Sequence, residues 1–206
     1  MIPTTFNPMG GGALLDANTR FLLLGSLTDR AFGTAITNHG LGSDGTYIYA
    51  PSTTSYAEIA ANALASDVLT TSHDWSIEIA FYLPEGWDEV VDNTRCLFGS
   101  GVPAQTSGRF DILVWPRSST IGQNVISIGG TSNNMGTCQY GDNYFMFSRA
   151  KSGTMNWSIN GAKTGTTVGS VFNARSNPLF VGFSGTNQRY IHPLKIKYIR
   201  ISNCLR

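Results

Sequence analysis

"MNWSINGAKTG", residues 155–165, alternates apolar and polar side chains and then stops at Asn-Gly. Met155, Trp157 and Ile159 fall on one side and Asn156, Ser158 and Asn160 on the other, the period-2 pattern of a half-buried strand. Asn160-Gly161 is the preferred pair for a two-residue turn that needs positive φ at both positions. Gly165 and the threonines at 164, 166 and 167 begin the return. The stretch therefore reads as a hairpin corner, and Asn160 as a turn former rather than a residue that reads a ligand.

The same alternation recurs outward from that hairpin. In "WSIEIAFYL", Trp75, Ile77, Ile79, Phe81 and Leu83 share one face, with Ser76 and Glu78 on the other. In "LKIKYIRIS", Leu194 and Ile196 share a face but Ile199 and Ile201 lie opposite, so the phase slips near Lys197-Tyr198. The slip implies a bulge, or a strand buried on both sides. Further strands are expected at 20–24, 46–50, 95–99, 109–115, 124–129, 143–149, 167–172 and 178–184, separated mostly by Gly, Pro, Asn or Asp. The best helix candidate is "YAEIAANALAS", 56–66, which reads equally as a strand and a short turn. The expected fold is all-β, a two-sheet antiparallel jelly-roll sandwich.

Composition agrees. Aromatics at 11% and charged residues at 13% can build a core, which argues against disorder, and 206 residues bury enough apolar surface to need no disulfide staple. Cys96, Cys138 and Cys204 are odd in number and lack C-x-x-C spacing, so they read as free thiols of a reducing cytoplasm rather than zinc ligands. Residues 1–111 carry twelve acids against four arginines, a net of −8; residues 112–206 carry ten bases against Asp142, a net of +9. The bases are scattered singly, which argues against nucleic-acid binding. The asymmetry either cancels locally between interleaved strands, the favoured reading, or supports head-to-tail association.

The start of the chain has no basic segment, and Asp16 and Arg20 interrupt its apolar stretch, so neither a signal peptide nor a membrane span is expected. Pro3, Pro8 and Gly10-Gly11-Gly12 make residues 1–12 an extended arm ahead of one domain over 13–206. Ile2, Pro3, Phe6 and Pro8 are its candidate docking residues, although such an arm also reads as a plain tail.

"DANTRFLLLGSLTDRAF", "DWSIEIAFYL", "CLFGSG", "YFMFSRAKSGTMNWSINGAKTG", "NPLFVGFSG" and "LKIKYIRISN" occur in that order over residues 14–203. Together they resemble the laminin-G-like domains of the concanavalin A-like lectin/glucanase superfamily, in the form found in bacteriophage virion proteins and in bacterial surface proteins. The resemblance implies two curved antiparallel sheets packed face to face. It also implies a virion protein (head decoration, fibre or tail-associated) made in the host cytoplasm. Its partners would be other virion proteins or copies of itself.

Glucanases of that superfamily carry paired carboxylates alternating on one strand. Here Glu58, Glu78, Glu85 and Glu89 form no Glu-x-Asp-x-Glu run, so the chain is expected not to be an enzyme. His39, His73 and His192 have no metal-ligand spacing or nucleophile motif and read as surface or turn histidines. No cofactor is expected, with calcium as the exception that laminin-G-like domains suggest; Asp92 and Asp142 are the candidate ligands, beside Asn93 and Asn143. Sugar recognition needs aromatic faces beside amides and carboxylates. Trp87, Trp115, Asn133, Asn134, Tyr140, Asp142 and Tyr190 supply these groups in or near loop-like segments, with the polar stretch 131–143 the first choice of surface. The competing reading places Trp115 and Tyr140 at the ends of the core. Two functions stand after this reading: a structural or adhesion protein of a virion, and a carbohydrate-binding module for a cell-surface polysaccharide. A glycoside hydrolase is the remote third.

Overall fold

The computed structural model describes residues 15–87, 94–100, 110–116, 124–128, 133–168, 174–184 and 189–206. In chain order the strands are β1 (Thr19–Leu24), β2 (Thr37–His39), β3 (Gly42–Ser43), β4 (Ile48–Tyr49), β5 (Tyr56–Ile59), β6 (Trp75–Leu83), β7 (Arg95–Ser100), β8 (Asp111–Pro116) and β9 (Asn124–Ile128). They continue with β10 (Asn133–Cys138), β11 (Gly141–Arg149), β12 (Thr154–Ile159), β13 (Ala162–Val168), β14 (Leu179–Val181), β15 (Phe183–Ser184), β16 (Arg189–Tyr190) and β17 (Lys195–Ser202). One sheet runs β13-β12-β11-β6-β17-β4-β3, with β1 also on β17; the other runs β10-β9-β8-β7-β14-β5-β2. Both are antiparallel throughout their named pairs, and the small hairpin β15-β16 stands apart from them. The fold is the all-β, two-sheet sandwich expected.

Alternation decides which side of each strand faces inward. Ile77, Ile79 and Phe81 of β6 meet Phe98 of β7, Ile112 and Val114 of β8 and Val181 of β14 in one core. Trp75 packs its edge against Phe110 at a centroid distance of 6.0 Å. Burying each such side chain is worth roughly 1.5–3 kcal/mol. The outward residues Ser76, Glu78 and Ala80 of β6 are buried too, because β6 lies between β11 and β17. Glu78 sits there, taking hydrogen bonds from the Tyr144 hydroxyl and the Arg200 Nε, with the Arg206 guanidinium 3.7 Å away. Burial, then the Glu78 charge, pushes the Tyr144 phenol upward.

The hairpin at 160–161 has the expected geometry, with Asn160 at φ +50° and Gly161 at φ +81°. Asn160 also stitches the turn to β11: its Oδ1 accepts from the Tyr144 N–H at 2.8 Å and its Nδ2 donates to Asn143 Oδ1 at 3.1 Å. At the phase slip in β17 both alternatives hold. The register with β6 shifts between Ile196 and Tyr198, and residues 198–202 are buried on both faces. β1 joins the free edge of β17 just beyond that shift, where β4 leaves it.

One open alternative is settled and two expectations need correction. Residues 56–59 form a strand and the following residues turns, so the helix candidate resolves to its alternative. Tyr56 and Glu58 point outward while Ala57 and Ile59 enter the core, and that period excludes a helix. The return strand of the hairpin is β13 at 162–168, which starts directly after the turn, five residues ahead of the strand expected at 167–172; residues 169–172 lie outside the described residues. Within the polar stretch 131–143, residues 133–138 are strand β10 pairing with β9, so their backbone is committed to a sheet edge.

Candidate functional site

The sequence-predicted residues do not gather in one place. Trp87, just after the turn at Gly86 (φ +75°), is only 4% exposed and belongs to the core, where its large indole gains more from burial than from solvent. It therefore presents no face to a ligand. Tyr140 is half-buried against the same core. Asn133 and Asn134 lie on the edge strand β10. Trp115, 38% exposed, projects outward from β8, as do Asp111 and Leu113, opposite the core residues Ile112 and Val114. Asp142 stands on the other sheet, where its carboxylate meets the Lys197 ammonium at 3.6 Å and the Tyr47 hydroxyl at 3.4 Å. Among the described residues no group of three His, Cys, Asp or Glu side chains is close enough to share a metal. Asp92 and the arm residues Ile2, Pro3, Phe6 and Pro8 lie outside the described residues.

Tyr190 is the predicted residue with a constellation around it. Val181 ends β14, and Gly182 at φ +75° lifts the chain off the sheet so that β15 and β16 fold over the outward face of β7. Gly99 makes room: a Cβ there would sit 2.6 Å from the Phe183 carbonyl oxygen and 2.6 Å from Asp111 Oδ1. The Ser184 hydroxyl donates to the buried Asp111 carboxylate at 2.9 Å and pins the hairpin down.

Phe183 and Tyr190 are cross-strand partners, with ring centroids 4.7 Å apart. Phe183 lies 4.9 Å from Tyr56, and Tyr56 stacks on His39 at 4.4 Å with 17° between planes. Phe180 supports both Tyr56 and Phe183 edge-on, at 5.9 and 5.3 Å. The result is a continuous strip of five rings from β2, β5, β14, β15 and β16 on the outward face of one sheet. Each ring pair adds about 0.5–1.5 kcal/mol beyond area burial, so the strip is braced before any ligand arrives.

The polar groups sit along its margin. Glu58 neighbours Phe180 across the β5–β14 pair and approaches His39 Nε2 at 3.8 Å, with both side chains more than a third exposed. His39 is on the edge strand β2, all three of whose residues are exposed. Asn38 holds that strand's exit, accepting from the Leu41 N–H at 2.8 Å and donating to the Leu41 carbonyl at 2.9 Å. The arrangement offers ring surface to C–H groups, and a carboxylate, an imidazole and two phenols to hydroxyls. From the sequence His39 reads as a surface or turn histidine and Glu58 as a glutamate outside any catalytic run, while Tyr56, Phe180 and Phe183 were not singled out. The available signal was the alternation of "YAEI" together with the glycine inside "LFVGF".

Among the described residues the glutamates are apart, and Glu89 lies outside them. Glu58 faces outward from one sheet and Glu78 outward from the other, while Glu85 is in the exposed turn after β6.

No family model matches the chain, and no curated protein matches it. Solved structures do. A Trypanosoma rangeli sialidase superposes with a TM-score of 0.67 at 11% identity, covering 94% of this chain and 32% of that one. The botulinum neurotoxin serotype D binding domain gives 0.60 at 11% identity, over 91% of this chain and 48% of its own. The serotype D/C VPI 5993 binding domain gives 0.59 at 10% identity. The chain thus spans about a third of the sialidase and about half of each toxin domain. At these identities the likeness establishes a shared β-sandwich fold.

Proposed function

We propose that this chain is a non-enzymatic, lectin-like adhesion module whose sugar-binding surface is the strip His39–Tyr56–Phe183–Tyr190 with Glu58 at its margin. The observation that carries the reading is the strip itself: five rings in contact, the His39 imidazole among them, four only partly covered, beside a carboxylate. Soluble domains rarely leave a braced aromatic surface on a sheet face without a ligand for it. The superposition on toxin binding domains supports a sandwich used for attachment, and the placement of Glu58 and Glu78 on different sheets supports a non-enzymatic reading. The virion setting and the laminin-G-like family rest on the resemblance of sequence motifs alone.

The test is a glycan array probed with the wild-type chain and with Tyr190→Ala. A defined set of neutral glycans bound by the wild type and lost at least about tenfold in the variant supports the reading. An array without signal, or signals unchanged in the variant, overturns it.

A further inference from the structure

Lys195 opens β17 opposite Tyr82 of β6 and Tyr49 of β4. The register then shifts between Ile196 and Tyr198, so Lys197 is an extra residue without a partner on β6. The bulge brings both lysines to the outward face of their sheet, where their ammoniums reach one ring. Lys195 Nζ lies 5.8 Å and Lys197 Nζ 5.9 Å from the centroid of Tyr47. The turn between β3 and β4 sets that ring in place: Asp44 Oδ1 accepts from the Thr46 N–H at 2.9 Å and the Tyr47 N–H at 2.7 Å. Tyr82 stands edge-on to Tyr47, at a centroid distance of 6.1 Å.

The unspent groups of this patch are donors. Both Asp142 oxygens are engaged, Oδ2 with Lys197 Nζ at 3.6 Å and Oδ1 with the Tyr47 hydroxyl at 3.4 Å. Asp44 is held by its two backbone bonds, which lower its carboxyl more than the Lys195 charge does. Among the described residues Lys195 has no carboxylate within ion-pair distance, and neither its ammonium nor the Tyr82 hydroxyl has a hydrogen-bond partner. An ammonium beside a ring is held in place yet keeps N–H groups for a further acceptor. Solvent reaches these groups: Tyr47, Tyr82 and Lys195 are partly exposed, and the Asp142 side chain is 63% exposed. A neutral hydroxyl would take one of the spare donors and leave the Lys195 charge unanswered. An oxyanion accepts several bonds and answers the charge as well.

We infer that Lys195, Lys197, Tyr47 and Tyr82 form an oxyanion-binding site on the sheet opposite the aromatic strip and independent of it. Its ligand is a sulfate ester or a carboxylate carried on a sugar ring. Lys195 makes the main contact, Lys197 adds a charge that it shares with Asp142, and the two phenol rings offer surface to the sugar.

The test is a backbone amide shift map of the full ¹⁵N-labelled chain. Glucose 6-sulfate, glucuronate, glucose and sodium chloride are titrated separately to ~50 mM at matched ionic strength, a range that captures the weak affinity of a few ion contacts. Saturable shifts are expected at residues 44–49, 142 and 195–198 with one or both oxyanions and with neither control. A response to both establishes a general oxyanion site, and a response to one identifies which group it takes. Lys195→Gln keeps the length of the side chain without the charge and weakens binding at least about fivefold. Asp142→Asn releases Lys197 from its carboxylate and strengthens binding about two- to fivefold, a gain that a merely structural role does not produce. No saturable movement with either oxyanion, the same movement with chloride or glucose, or an affinity unchanged in either variant contradicts the assignment. Shifts confined to residues 37–39, 56–58 and 189–190 contradict it too, while leaving the strip in place.

Discussion

Gly165 of β13 lies directly beneath the indole of Trp157 on β12: a Cβ built on it would come within 2.2 Å of Cζ2 and 2.4 Å of Cε2. The two are register partners in the sheet, so the ring covers the spot where a side chain would stand. Gly165→Ala forces the ring out of its place in the core, at a cost of about 1–3 kcal/mol. Urea unfolding should show a lower midpoint with an unchanged m value. A midpoint equal to wild type would mean the indole does not rest on residue 165.

Asn160 combines a positive φ with two side-chain bonds to β11, and two substitutions separate them. Asn160→Gly keeps the backbone freedom and loses the bonds, for about 1–2 kcal/mol. Asn160→Ala loses both and should be less stable than the glycine variant by roughly a further 1 kcal/mol. The reverse order in thermal unfolding would remove the turn from the account.

The Glu78–Arg200 pair is buried between β6 and β17 and tied to Tyr144. Glu78→Leu alone strands the guanidinium and should cost about 3–5 kcal/mol, whereas the double change with Arg200→Met should recover much of it. A double-mutant cycle with no coupling would contradict the geometry.

Asp16 adds an acid-side dependence. Burial, the largest single influence, raises its carboxyl, but hydrogen bonds from Arg206, the Asn18 N–H and Thr19, with the Arg206 charge, together outweigh it and hold it at about 2. A depressed carboxyl stabilises the fold above its unfolded value of 3.8, and that stability is lost as pH falls towards about 2. Because the pair is partly exposed, the effect is small, about 1 kcal/mol at most. Asp16→Asn should flatten the stability profile between those two values and leave it unchanged at pH 7 in slope.

Cys96 and Cys138 are buried and Cys204 is half-exposed. Burial pushes the Cys138 thiol up to about 12, which removes the reactive thiolate. A thiol reagent at pH 8 should therefore titrate one cysteine in the native chain and all three after denaturation. Two fast thiols in the native chain would contradict the packing at Cys96 or Cys138.

Long strands with strict alternation were legible in the sequence. β6 spans 75–83 as expected, the Asn-Gly corner forms where its dipeptide requires it, and the slip at Lys197-Tyr198 is a shift of register. The charge asymmetry also has a physical outcome. Glu78 pairs with Arg200 and Asp16 with Arg206, so acids from the first half meet bases from the second. The binding strip was not legible, because its rings come from strands of two to four residues, too short to show a period. Tyr190 alone stood out. Trp87 misled for a related reason: one tryptophan after a Pro and a Gly looks like a loop residue, and only the tertiary fold shows that it belongs to the core.

The central claim is that the aromatic strip is the sugar-binding face. Its most direct measurement is a backbone amide chemical-shift map of the ¹⁵N-labelled chain titrated with the strongest glycan from an array. The account predicts saturable shifts concentrated at residues 37–39, 56–58, 180–184 and 189–190, abolished by Tyr190→Ala. Shifts centred instead on Tyr47, Asp142 and Lys197, or spread without saturation, would contradict it.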